Sequence, residues 1–229
     1  MPYGKTWSEK DVRKYVDELK GVTIPVNFTL EGKQRIISFE HLERLLRKAK
    51  IIAITDCECR TTVRGCDAPI DVCLYLNEGA KEQIDRKLGK EVSLKDALAV
   101  LKKANEAGLV HVAFTETGEK EPSYICSCCS CCCHSFVAMQ KFGFNDAIIS
   151  SDMVAVQNDE LCDDCGLCVE RCHFNARRKI DDHLTFEKER CFGCGVCISA
   201  CPRDAIHLED RRDRQTNRPA QTFSMKANY

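Results

Sequence analysis

The chain has 229 residues, 18 of them cysteine, with a formal net charge of −1 and 30% charged side chains. That length suits one large domain or two small ones, and the near-zero charge excludes a global pull toward nucleic acid or a membrane surface. No stretch approaches the roughly 18 apolar residues of a membrane-spanning helix, and the polar start MPYGKTWSEKD is unlike a secretory leader, so a cytoplasmic setting with reduced thiols is expected.

From the N-terminus, Ser8 reads as the cap of a helix with Val12, Tyr15, Val16 and Leu19 on one face and Gly21 as its stop. Residues 22–30 and 34–39 read as strands around a turn at Glu31 and Gly32. Ser38 caps a second helix that turns Leu42, Leu45 and Leu46 inward, and residues 51–56 form a strand leading into the first cysteines. Ser93 caps a third helix over 94–107 that ends at Gly108. A strand over 109–114, a turn at Thr117 and Gly118, and a segment over 122–125 follow. Helix, glycine, strand, turn, strand is how a winged-helix module ends, but no basic recognition helix stands out, which favours an ordinary α+β domain that braces clusters.

The last third of the chain is organised by two cysteine runs. Cys162, Cys165, Cys168 and Cys172 form the first; Cys191, Cys194, Cys197 and Cys201 form the second. Both keep the C-x2-C-x2-C-x3-C spacing that holds cubane iron–sulfur clusters. Three thiolates two residues apart wrap one corner of a cube, and the fourth points to the other cluster. Swapped ligation therefore predicts Cys162, Cys165, Cys168 and Cys201 on one [4Fe–4S] cluster. Cys191, Cys194, Cys197 and Cys172 would hold the second. A zinc site suits one such run; two in tandem, with Gly166, Gly193 and Gly195 between the ligands, favour iron. The runs repeat at an offset of 29 residues, which also maps Ala176 onto Ala205. Residues 153–157 and 183–187 read as the strands that precede each loop.

Residues 155–209 resemble a bacterial-type two-cluster ferredoxin domain. The resemblance implies two [4Fe–4S] clusters and electron transfer. One position departs from it: His173 follows the first run where that family has proline, while Pro202 follows the second. The imidazole is expected either to donate to a cluster sulfur or to lie near solvent.

Ten more cysteines lie further forward, in two groups. Cys57, Cys59, Cys66 and Cys73 form one; Cys126, Cys128, Cys129, Cys131, Cys132 and Cys133 form the other, followed by His134. Alternate residues of an extended segment share a face. Cys57 and Cys59 are expected to bite one metal together, with Cys66 and Cys73 returning across a loop. In an extended second group, Cys126, Cys128 and Cys132 share one parity and Cys129, Cys131 and Cys133 the other. Ten thiols suffice for one or two further iron–sulfur clusters; a larger or non-cubane cluster and zinc both stay open. Adjacent cysteines argue against disulfides. Arg60, Arg64 and His134 are candidate donors to cluster sulfurs, or plain surface groups. This front segment, placed directly ahead of a two-cluster module, is similar to a group of anaerobe four-iron ferredoxin-type proteins, which implies additional clusters and an anaerobic host.

The expected fold is α+β. A cysteine-rich α+β domain over 1–150 is followed by a duplicated β-α ferredoxin-like domain over 151–210 and a polar basic tail over 211–229. Residues 159–210 hold twelve acidic and seven basic side chains, a net of −5; residues 211–229 hold five basic and one acidic, a net of +4. The tail is expected to be disordered or to wrap a neighbouring subunit. An acidic module suits a redox partner with a basic docking patch, and nucleic acid is not an expected partner. No nucleotide-binding loop is present. Three functions follow in order: an electron carrier or relay subunit, an iron–sulfur enzyme acting at a front cluster on a disulfide or another two-electron substrate, and a redox-sensing winged-helix regulator.

Overall fold

A computed structural model describes residues 6–24, 37–116, 121–145 and 147–211 of the chain. Helices and strands mix in an α+β arrangement, with a large sheet in the cysteine-rich front part and two small sheets behind it. The front sheet contains β1 (Leu19–Ile24), β2 (Ile52–Thr55), β3 (Cys73–Leu76), β4 (Gly89–Glu91), β5 (Val110–Glu116), β6 (Tyr124–Cys128) and β7 (Ile148–Ile149), in the order β4-β2-β3-β6-β5-β1-β7. Every neighbouring pair is antiparallel except β1 with β7.

The alternation of strand side chains sorts this sheet into two faces. On β5, Val110, Val112 and Phe114 enter one core and Ala113 the other; on β6, Cys126 and Cys128 lie with the first and Ile125 with the second. α2 (Ile37–Lys48) and α5 (Leu94–Glu106) cover the second face with Leu42, Leu46, Ala97 and Leu101. α1 (Glu9–Glu18) and α6 (His134–Phe142) cover the first, where Trp7, Val12, Phe136 and Met139 pack beside cysteines. Each fully buried leucine contributes about 2 kcal/mol by area alone. Helices thus cover both faces of the sheet, and α1 and α6 shield the thiols of the cysteine face from water.

Several local expectations need correction. α1 ends at Glu18 and the chain runs straight on into β1 through Gly21, so Gly21 is a strand residue and stops nothing. Residues 37–39 belong to α2, and Ser38 lies inside its first turn. The turn at Glu31 and Gly32, the turn at Thr117 and Gly118, the side chains of Tyr15 and Leu19, and the tail beyond Arg211 lie outside the described residues. Ser93 does cap α5: its Oγ accepts from the Asp96 amide at 3.1 Å, a bond that stabilises a helix start by about 1 kcal/mol. The helix-glycine-strand-strand series is present as α5, Gly108, β5 and β6, but β5 and β6 sit in the middle of the seven-stranded sheet.

Behind the sheet, β8 (Met153–Gln157), α7 (Leu167–Glu170) and β9 (Arg177–Ile180) are followed by β10 (His183–Phe186), α8 (Val196–Ser199) and β11 (Ile206–Asp210). β8 pairs with β11 and β9 with β10, both antiparallel, so each half lends one strand to each sheet. The backbone repeats with the sequence. Left-handed residues fall in pairs 29 apart: Asp164 (φ 55°) with Gly193 (67°), Gly166 (82°) with Gly195 (77°), and Asn175 (51°) with Asp204 (49°). At Gly193 a side chain is excluded twice over, by its φ and by the Met153 carbonyl oxygen, 2.1 Å from where a Cβ would stand.

Candidate metal centres

The eight rear cysteines lie on the loops between strand and short helix, within the short helices or just after them. Each helix starts on a left-handed glycine, Gly166 or Gly195, which turns the loop back toward its own third cysteine. The fourth cysteine of each half follows the helix, and its Sγ accepts a backbone N–H four residues on: Ala176 to Cys172 and Ala205 to Cys201, both at 3.3 Å. Gly193 N–H adds a bond to Cys191 Sγ at 3.4 Å.

Cys172, Cys191, Cys194 and Cys197 line one enclosed cavity together with Phe174, Phe186 and Arg177. Three of these cysteines come from the second run and one from the first. On the other side, Cys165 and Cys201 are the charged neighbours of Cys168. The structure therefore gathers Cys168 and Cys165 of the first run with Cys201 of the second. Burial pushes the Cys194 and Cys168 thiols up and raises Cys197 to about 12, the neighbouring thiolates adding to the rise at Cys194. Arg177 opposes this at both Cys168 and Cys197. Its side chain is 2% exposed, stacks on Phe186 at 4.6 Å and donates to Gln157 Oε1 at 2.8 Å. A fully buried cation between two thiolate groups offsets the negative charge of both. Nothing in the run Arg177-Arg178-Lys179 distinguishes it from its exposed neighbours, so the sequence held no sign of it.

Front cysteines fall into two sets: the second group splits between them, and Cys66 parts from Cys57, Cys59 and Cys73. Cys57 neighbours Cys59 and Cys73; Cys73 neighbours Cys126; Cys126 neighbours Cys128; Cys128 neighbours Cys133; Cys133 returns to Cys59. Six thiols thus close a ring. Cys66 stands outside it and lies 3.8 Å from Cys129 and 3.9 Å from Cys132, with Cys131 3.8 Å from Cys132. Cys66 stands with Cys129, Cys131 and Cys132 rather than beside Cys57, Cys59 and Cys73 because α3 (Glu58–Val63) and a left-handed Arg64 (φ 54°) carry the chain away before it. Parity fails in the second group because β6 ends at Cys128. A turn closed by Cys133 N–H to Cys129 C=O, 3.1 Å, then rotates Cys131 and Cys132 away and returns Cys133 to the ring.

Arg60 joins the two sets. It is 2% exposed, donates to the Pro69 and Ser127 carbonyls, and lies 3.6 Å from Cys129 Sγ. Burial works against its charge, and the thiolates of Cys129 and Cys57 outweigh that and hold it protonated. Hydrogen bonds from Cys59 and Cys73, with the Arg60 charge adding to them, draw Cys57 down to about 2. Cys129, which accepts from Cys131, is drawn down to about 4. His134 Nδ1 sits 3.2 Å from Cys59 Sγ, and burial keeps this histidine neutral down to about 4. Arg64 points elsewhere, its Nε donating to the Thr61 carbonyl at 3.2 Å.

His173 does neither of the things expected of it. Its Nε2 lies 2.8 Å from the Gly108 carbonyl, which can only accept; the ring therefore donates there, and its Nδ1 accepts from Ser130 Oγ at 3.1 Å. Gln140 Nε2 donates to the His173 carbonyl at 2.8 Å. The residue after the first run is thus a latch onto the front sheet. Phe174 continues the junction, stacked on Phe192 at 4.2 Å and tilted against Phe136 at 5.2 Å.

Residues 161–206 match the 4Fe-4S dicluster domain family. The match spans all eight rear cysteines and none of the ten in front. A dicluster domain needs two sets of thiols spaced around a hollow, and the cavity shared by Cys172 and the second run fits that need. Iron–sulfur binding and a general electron-transfer role follow for this part of the chain. No curated protein matches the chain. No helix among the described residues is long and apolar enough to cross a membrane.

Proposed function

We propose that the chain is an electron carrier or relay subunit whose dicluster domain holds two [4Fe–4S] clusters by exchanged fourth ligands. Cys162, Cys165, Cys168 and Cys201 would hold one, and Cys191, Cys194, Cys197 and Cys172 the other. The observation that carries this reading is the cavity in which Cys172 from one half meets three cysteines of the other. Bound there, the clusters supply one-electron storage without proton chemistry. The chain's own part is to exclude water with Phe174, Phe186 and Phe192, to donate amides to the sulfurs, and to offset charge with Arg177. Front thiols extend the series: the largely buried ring of Cys57, Cys59, Cys73, Cys126, Cys128 and Cys133 would hold a further iron–sulfur or metal centre, with Cys59, Cys133 and His134 within 4.8 Å of one another.

The acidic rear module would dock on a basic face of a redox partner in the cytoplasm. Stopped-flow mixing of the reduced chain with a one-electron acceptor protein bearing a basic patch tests this. Electron transfer should be fast at low salt and slow steeply as salt rises. Transfer that is absent, or indifferent to salt, would remove the docking reading. Turnover of a small disulfide by the same reduced chain would favour an enzyme instead.

A further inference from the structure

The four thiols of Cys66, Cys129, Cys131 and Cys132 lie within 4.8 Å of one another, all six ways. The measured neighbours are 3.8 to 3.9 Å apart. A single tetrahedral ion with metal–sulfur bonds of about 2.3 Å sets its sulfurs about 3.8 Å apart. A cubane cannot do this, because each thiolate binds a different iron at a separate corner and the sulfurs stand much wider. The rear cysteines give the internal comparison: no three of those eight, all described, come within 4.8 Å of one another. We propose that Cys66, Cys129, Cys131 and Cys132 hold one metal ion, zinc or iron, in a four-thiolate site.

Local structure builds the site independently of any metal. The turn from Cys129 to Cys133 presents three thiols to one side, and the Trp7 indole N–H fixes it by donating to the Cys132 carbonyl at 2.8 Å. The fourth thiol arrives on the loop after α3. That loop passes so close that a Cβ on Gly65 would stand 3.2 Å from both Cys132 Sγ and the Cys131 carbonyl oxygen. Four thiolates around a dication leave a net charge of −2, and Arg60, beside Cys129, offsets half of it. The ion would tie the loop after α3 to the end of β6. Ser130, inside the turn, is the residue that His173 grips from the rear module, so the ion would also stiffen the junction between the two modules. This proposal does not depend on the dicluster reading.

The test is a count of metal and acid-labile sulfide on the anaerobically purified full chain, with X-ray absorption at the zinc and iron edges. The expected result is one zinc per chain, or one iron in excess of sulfide, ringed by four sulfurs at about 2.3 Å with no second metal nearby. Either metal supports the proposal. Iron matched one-to-one by sulfide with no zinc, or metal–metal scattering at the zinc edge, overturns it. Cys131 is exposed, so Cys131→Ser should fold, lose the single ion, and keep the rear iron and its absorption. Retention of the ion in Cys131→Ser overturns the assignment. Cys165→Ala should do the reverse, losing rear iron and keeping the single ion. If Cys131→Ser does not fold, the native counts and spectra decide alone.

Discussion

His173 and Gly108 join the two cysteine-rich halves of this protein: the imidazole Nε2 donates to the Gly108 carbonyl at 2.8 Å. The donor follows Cys172 directly, and the same ring accepts from Ser130, which stands between Cys129 and Cys131. One side chain thus spans from the last cysteine of the first rear run to the front cysteine turn. Position 173 also explains itself chemically. A proline there would remove both side-chain bonds and leave the junction to Gln140, to Arg171 on the Glu106 carbonyl and to Phe174 against Phe136.

Restoring that proline tests the latch. His173→Pro and His173→Ala should each lower stability by about 1–3 kcal/mol, since two buried or half-buried hydrogen bonds vanish. Anaerobic denaturation followed by fluorescence measures this, and rear cluster absorption should persist in the folded state. An unchanged midpoint would mean that Gln140, Arg171 and Phe174 hold the junction without the imidazole.

Exchange of fourth ligands makes a directional prediction. Cys172→Ala should abolish the cluster held by Cys191, Cys194 and Cys197 and leave the one held by Cys162, Cys165 and Cys168. Pairing it with Cys201→Ala, which should do the opposite, lets the two EPR signals be assigned. Loss of the same signal in both variants would contradict the exchange.

Arg177 should set potentials in both rear clusters. A buried cation that acts on thiols of both sets stabilises the reduced, more negative state of each cluster. Arg177→Met should therefore shift both reduction potentials to more negative values, because the reduced clusters lose a stabilising cation. A redox titration of the variant against the native chain reads this directly.

His111 gives the clearest pH dependence outside the cysteines. It is fully buried on β5, directly across from Ser127, whose Oγ lies 3.0 Å from its Nδ1. Burial lowers it from 6.5 to about 4. A histidine depressed in the folded state binds its proton more readily once unfolded. Its contribution is complete above 6.5 and is lost as pH falls toward about 4, at about 1.4 kcal/mol per pH unit. Denaturation midpoints at several pH values should show this slope together with that of His134, which burial also lowers to about 4, and His111→Gln should reduce the total by about half.

How much of this was readable beforehand divides at the end of β6. The rear spacing is self-contained: each run is closed by a loop and a short helix of its own, so C-x2-C-x2-C-x3-C with an offset of 29 carried the paired loops, on which the proposed exchange of Cys172 and Cys201 is built. The capped helix at Ser93 was equally local. The front grouping was not, because it depends on where β6 stops and on how far α3 displaces Cys66 from Cys59. Neither is a matter of parity. Arg60 and Arg177 illustrate the same limit: burial of a cation is decided by the sheet that covers it, and the residues beside it in sequence carry no trace of that.

The central claim is that the dicluster domain stores and passes single electrons. An EPR-monitored redox titration of the anaerobic full chain, with iron and sulfide counted on the same sample, tests it most directly. The account predicts about eight irons and eight sulfides or more per chain, and two reversible one-electron steps that each depend on one of the exchanged ligand sets. Fewer than about four irons per chain, or clusters that cannot be reduced and reoxidised reversibly, would contradict it.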